Sequence, residues 1–321
     1  MSVAIEEKTA KTKPQVDKNA FKYRALRDMK MNKYIYLMLL PVVVYYIIFY
    51  YVPMYGVQIA FKDFSPGLGL WDSPWVGFQH FESFLNSYYF GRLLRNTLLL
   101  SLYDLVFSFP ASIILALLLN ELRSAMVKRA VQTITYMPHF ISIVVISGMM
   151  VDFLARDGLI NNVLAMFGIE PIAFLRESGW FRTIYVASNI WQSVGWGSII
   201  YLSAMSSIDP SLYEAAKVDG ANRWRQTFNI TLPGIMPTVI ILLILQIGHF
   251  MSVGTDKILL LYNSTTYETA DVIGTFVYRK GILESDFSYS SAVGLFNSLI
   301  NFTLLVLANW ISRRTSDTRL W

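Results

Sequence analysis

The sequence contains no cysteine, which excludes disulfides, thiolate metal sites, iron–sulfur clusters and cysteine nucleophiles and leaves the compartment open. Charge is scarce as well: 15% of the 321 residues are Asp, Glu, Lys or Arg, against about 25% in an ordinary soluble domain. Hydrophobic residues reach 54% and mean hydropathy is +0.43. No soluble core of this length absorbs so much apolar surface, whereas a bilayer takes about 20 apolar residues per spanning helix. The sequence therefore reads as a membrane protein.

Catalytic and nucleotide-binding patterns are missing too. No Gly-Lys dipeptide occurs, so the phosphate-binding pattern G-x-x-x-x-G-K-[ST] is absent, as are G-x-S-x-G and G-x-G-x-x-G. The three histidines, His80, His139 and His249, never fall at H-E-x-x-H spacing, and no carboxylate stands near the two in apolar runs to complete a metal site. The reading is no catalytic residue and no metal ligand. The net charge of +5 does not point to nucleic acid, because no basic stripe with interleaved aromatics lies outside the apolar runs.

What is present is a series of apolar runs. Residues 1–33 are polar and Lys-rich, a basic tail with no periodicity of its own. The first run, Tyr34 to about Val52, has too long a leader for a signal peptide and no small-residue cleavage site after it. Five more follow, at about Asn96–Leu119, Val131–Phe153, Phe181–Met205, Ile235–Gly254 and Tyr289–Ile311, giving six spans. Pro110 and Pro138 fall inside two of them, where a bend shapes a cavity or merely marks irregular packing. Most Lys and Arg lie in the tail, the Asn120–Ala130 loop, the Ser206–Gly234 loop and the C-terminus, so both termini are expected in the cytoplasm. The opposite side carries segments long enough for short helices but not for a domain, with Trp71, Trp75 and Trp180 suited to an interfacial belt or to a partner contact. Ionisable residues within spans are few. Asp104, Asp152 and Asp256 suit helix-end or packing roles better than a proton relay, so the spans carry no sign of an ion-coupled energy source.

Between the fourth and fifth spans stands IDPSLYEAAKVDGANRWRQTFNITLPGIMP. Asp209 and Pro210 suit the cap and first position of a helix, small Ala215 and Ala216 allow another backbone to approach, and Gly220 ends the helix in the left-handed region. Asn222 caps a second helix, with Trp224 and Phe228 four apart as an apolar stripe that Leu232 and Pro233 bring to an end. A short amphipathic helix of this kind also suits the headgroup layer.

These residues carry a resemblance. EAA, three residues, Gly, nine residues and then I-x-LP matches at every fixed position the loop signature of inner-membrane permeases of binding-protein-dependent ABC importers. More widely, KYIYLMLLPVVVYYIIFYYVPMYGVQIAFKDF, SPWVGFQHF, RNTLLLSLYDLVFSFPASIILALLLNELRS and QTITYMPHFIS resemble the LplB-type permeases for oligosaccharides and polysaccharides. The resemblance implies an all-α integral membrane protein of six transmembrane helices, with a type I (MetI-like) ABC importer permease core and one extra N-terminal helix. Its divisions would be the tail 1–33, a first helix with an external segment over 34–95, a core over 96–311 containing the coupling loop 206–234, and a C-terminal tail 312–321.

The family likeness also implies partners: a second homologous permease subunit, an ABC ATPase dimer that binds ATP and Mg, and an extracellular lipid-anchored solute-binding protein in a Gram-positive plasma membrane. No cofactor belongs to this chain. Glu214, Ala215, Ala216, Asp219, Gly220 and Arg223 would couple to the ATPase. By likeness to the maltose permeases, Asn189, Trp191, Gln192, Ser193 and Trp196 of the fourth span would line a sugar path with Tyr136 and His139 of the third and Gln246, His249 and Phe250 of the fifth. Each could instead be ordinary interhelical glue, and a permease for an amino acid or peptide is the alternative reading.

Overall fold

The structure is a computed structural model that describes residues 27–315. Among these the chain is helical, with one isolated antiparallel bridge, Lys62 to Trp75. It divides into two compact units between Val57 and Gln58. Most of the two expected tails, residues 1–26 and 316–321, lies outside the described residues.

The first unit holds α1 (Lys33–Tyr46), prolonged by the π-turn Ile47–Tyr51. Every residue from Lys33 to Tyr55 is exposed, the surface of a helix whose apolar side chains have lipid or protein as their solvent.

In the second unit, α2 (Phe90–Tyr103) runs through the π-turn Asp104–Ser108 into α3 (Phe109–Glu121) as one 32-residue span. The third expected span is not a straight helix. α4 (Ala125–Tyr136) gives way to a 3-10 turn, Met137–Phe140, and α5 (Ile143–Phe153) leaves at 100° to it. Pro138 supplies no N–H for an α-helical bond, and Ser142 accepts from the Val145 amide at 3.3 Å to start a new helix.

α6 (Ser178–Ser206) follows the fourth expected span at 29 residues, a length of about 43 Å. Four described helices are long and apolar enough to cross a membrane, and a fifth span is counted if the bent α4–α5 pair is one. α6 has the length but not the apolarity, because one of its faces is polar.

The coupling loop contributes α7 (Pro210–Val218) and the short helix Arg223–Gln226. Leu232 and Pro233 do not end the second helix as the sequence suggests. It continues through the π-turn Thr227–Thr231 into α8 (Leu232–Gly248), a 26-residue helix. α9 (Thr255–Leu261) and α10 (Phe287–Thr315) complete the bundle, so the fifth expected span ends at Gly248, short of Gly254.

Three of the π-turns share a cause. Ile47–Tyr51, Asp104–Ser108 and Thr227–Thr231 each end two residues before a proline, Pro53, Pro110 and Pro233. A proline ring clashes with the carbonyl four residues back in an α-helix, and a π-turn widens the backbone at that carbonyl so that the helix continues.

The helices pack closely where side chains vanish. A Cβ on Gly195 of α6 would stand 2.0 Å from the Thr135 carbonyl oxygen of α4, so only glycine permits that approach. Near the coupling loop, Ala116, Tyr201, Met205 and Ile235 join α3, α6 and α8 in a buried apolar cluster.

Candidate functional site

A cavity of about 720 Å³ opens between α3, α6 and α8. α6 contributes Asn189, Gln192, Ser193 and Trp196, spaced i, i+3, i+4, i+7 and therefore on one helical face. Trp191 belongs to none of this: two residues beyond Asn189 it is turned about 200° around the axis, and it stands 47% exposed outside the cavity. The polar stretch that suggested a site was contiguous in sequence, but only its helical stripe converges.

The other expected lining residues divide similarly. His139, Gln246 and His249 line the cavity. Phe250 packs against the buried cluster around Phe84, Leu93 and Phe276, and Tyr136 accepts from Gln132 at 3.2 Å beside Gly195; neither lines the cavity. His139 stacks on Trp196 with ring centroids 4.6 Å apart and planes 3° from parallel, so a flat aromatic surface stands on the cavity wall.

Three charged residues, Asp104, Asp256 and Lys257, complete the lining, and sequence reasoning did not assign them to the site. Asp104, held in the π-turn before Pro110, accepts through Oδ1 from Ser108 Oγ at 2.7 Å and Asn189 Nδ2 at 3.2 Å, and through Oδ2 from Gln246 Nε2 at a long 3.4 Å. Lys257 of α9 is 3% exposed and donates to Asn189 Oδ1 at 2.6 Å and Ser188 Oγ at 3.2 Å. Burial pushes its ammonium down to about 8, and the nearby Asp104 carboxylate opposes that shift. Asp104 stood out in the sequence as an ionisable residue in a span. Lys257 carried no such signal, being one Lys in a polar segment.

The coupling loop is built as its punctuation implies. Asp209 caps α7 by accepting from the Ser211 amide at 2.9 Å, a bond that lowers its carboxyl pKa. Gly220 has φ of +75°, and Asn222 caps the next helix through the Arg225 amide at 2.9 Å. Trp224 and Phe228 stack at 6.2 Å, both exposed. Glu214, Ala215, Asp219 and Gly220 are exposed, Ala216 is half-buried, and Val218 projects at 88% exposure. Arg223 is engaged within the chain, its Nη1 2.5 Å from Glu121 Oε2 at the end of α3.

Among the described residues, no three His, Asp or Glu side chains converge to hold a metal ion. A helical bundle with a polar, aromatic-walled cavity and a capped, exposed loop at one end defines a membrane permease subunit.

Residues 108–317 match the family of binding-protein-dependent transport system inner membrane components, and the chain belongs to that family. It is 47% identical to protein LplB of Bacillus subtilis (strain 168), over 91% of this chain and 92% of that relative. It is 44% identical to the polygalacturonan/rhamnogalacturonan transport system permease protein YteP of the same strain, over 98% of this chain and 100% of the relative. Among solved structures, a chain of a bacterial alginate ABC transporter in complex with an alginate pentasaccharide-bound periplasmic protein matches with a TM-score of 0.86 and 45% identity, covering 92% of this chain and 100% of that one.

Proposed function

We propose that this chain is the permease subunit of an ATP-driven, binding-protein-dependent importer for oligosaccharides or polysaccharide fragments. The observation that carries the reading is continuity: α6, whose one face lines the polar cavity, runs directly into the coupling loop. The relatives support the cargo class, since one is a permease for polygalacturonan and rhamnogalacturonan and another belongs to an alginate transporter.

The chain forms half of a translocation path with a second, homologous permease subunit. A dimeric ATPase binds ATP and Mg and receives the α7 helix, with Glu214, Ala215, Ala216, Asp219 and the left-handed Gly220 fixing its shape. Arg223 fixes the loop to α3 through Glu121. A lipid-anchored extracellular protein delivers the sugar, which meets Gln192, Ser193, Trp196, His139, Gln246 and His249. Closure of the ATPase moves the coupling helices and switches the bundle between inward-open and outward-open states. Basic-residue placement favours cytoplasmic termini in the plasma membrane of a Gram-positive cell. The chain itself performs no hydrolysis.

A deletion strain grown on oligosaccharides from polygalacturonan, rhamnogalacturonan and alginate tests the cargo: loss of growth on at least one is expected, and undiminished growth on all of them with loss of uptake of an amino acid or peptide would overturn it. For coupling, Gly220→Pro and Glu214→Lys should leave the bundle inserted but abolish substrate-stimulated ATP hydrolysis. Normal ATPase co-purification and normal stimulation would refute that role.

A further inference from the structure

Asn189 lines the cavity, yet both ends of its amide are engaged by protein: Nδ2 donates to Asp104 and Oδ1 accepts from Lys257. It has little left to offer a sugar. What it does is hold a carboxylate and an ammonium at a set separation, one on each side of a single planar amide. Both charged groups line the cavity, and both keep capacity for another partner. An ionised carboxylate takes about four hydrogen bonds. Asp104 receives two on Oδ1 and one long bond on Oδ2, which leaves Oδ2 open. An ammonium carries three protons; Asn189 and Ser188 accept two of those on Lys257, and the third has no hydrogen-bond acceptor among the described residues, with the Tyr185 ring centroid 5.9 Å from Nζ.

We infer that Asp104 and Lys257, set by Asn189, form a clamp for two neighbouring ring hydroxyls of the transported sugar: Asp104 Oδ2 accepts from one hydroxyl and Lys257 Nζ donates to the next. This rests on the sugar-import reading above and assigns the contacts within it. Charge-assisted hydrogen bonds are the strong class, and Asp104 lies within a span, where ionisable groups are retained mainly where function requires them. A carboxylate and an ammonium also compensate each other, so the clamp binds hydroxyls without selecting the charge of the rest of the glycan. Asp256 lines the same cavity, and its charge argues against Lys257 serving as a trap for sugar carboxylates. Trp196 stands seven residues further along α6, about 10 Å away along the axis, so its flat face suits a second ring of the same chain and favours an oligosaccharide over a single sugar.

Binding to the purified permease–ATPase complex, without the extracellular binding protein, tests the clamp directly. The probes are trimers from polygalacturonan, rhamnogalacturonan and alginate, each in native form and with its ring diol acetylated. The wild type should bind at least one native trimer and bind its acetylated form at least about tenfold more weakly. Asp104→Asn and Lys257→Gln should each weaken the native trimer about tenfold and lose the discrimination, with subunit co-purification as the check on assembly. If neither variant assembles, the acetylated trimers on the wild type decide alone, and equal binding of both forms overturns the clamp. Variants that bind as the wild type does, or bind weakly but still discriminate tenfold, also overturn it. Uptake of a glycan by cells without binding to the complex sinks the clamp and leaves the sugar reading standing, whereas absence of any glycan uptake removes both.

Discussion

Asp271 and Asp104 are both carboxylates inside this bundle, and they differ in their partners and in how far their bonds are used up: Asp271 is paired with two arginines, whereas Asp104 is bonded by neutral side chains with Lys257 nearby. Asp271 is fully buried. Arg279 bonds both of its oxygens at 2.8 Å, Arg92 adds a bond at 3.0 Å, and Thr275 Oγ1 donates at 2.8 Å. Burial alone would lower the Arg279 pKa, but the bonds to Asp271 outweigh it and raise it. Nothing remains for a ligand, and the cluster serves to pin the segment before Ile273 against the start of α2. Asp104 is half-buried, with one well-filled oxygen and one nearly unused oxygen facing a cavity. Saturation distinguishes a structural ion cluster from a candidate binding group, where residue type and burial alone do not.

The contrast is broken most severely at Asp271. Asp271→Ala leaves Arg279 and Arg92 without their acceptor, and removing one partner of a buried pair costs about 3–5 kcal/mol. Loss of monodisperse protein on detergent extraction is expected, and a normal thermal midpoint would show that the cluster is dispensable. Asp104→Asn keeps the size of the side chain and one acceptor oxygen for Ser108 and Asn189, losing only the long bond on Oδ2, so its effect should appear as weaker trimer binding with a midpoint near that of the wild type. A stability loss as large as that of Asp271→Ala would place the two carboxylates in the same structural class.

Proton linkage sharpens the same point. With its folded value near 8, below the ordinary 10.5, Lys257 holds its proton at neutral pH and releases it as pH rises through about 8. The unfolded chain binds more protons over that window, so this residue makes the fold more stable as pH climbs, while a donor to the sugar is lost. The titratable groups facing it are Asp104 from the π-turn, Tyr185 from α6 and the adjacent Asp256. Trimer binding should therefore fall between pH 7 and 9, and Lys257→Arg, which stays charged throughout, should flatten that fall. A wild-type profile unchanged to pH 9 would remove Lys257 from the contact.

Smaller effects follow from helical phase. Trp196→Ala should reduce trimer binding, whereas Trp191→Ala, on the opposite face of α6, should leave it close to the wild-type value; the reverse order would mean that the path runs on the other side of α6. Smallest of all, Glu121→Gln removes an exposed ion pair and should change the thermal midpoint by the equivalent of about 1 kcal/mol or less.

Much of the coupling loop was legible in advance because its determinants are local. Asp209, Pro210, Gly220 and Asn222 act within a few residues of themselves, and each occupies the position its chemistry demands. The same locality explains the π-turns after the fact: a proline two residues on is a signal that could have been read, and at Pro233 it turns an expected helix end into a continuous helix. The cavity was less legible. The contiguous polar stretch reads as one site along the sequence, and the 3.6-residue period alone separates Trp191 from Asn189, Gln192, Ser193 and Trp196.

Composition and local pattern by themselves determined that this chain spans a membrane, roughly which segments are apolar helices, how its loop is capped and which family it resembles, because apolar run length and capping act over a few turns of chain. Only the tertiary structure decided that Asp104 and Lys257, 153 residues apart in sequence, share one amide. It alone decided that Arg223 turns inward to Glu121 and that Asp271 is closed while Asp104 is open. Those outcomes depend on which helix faces meet, and no local propensity specifies that.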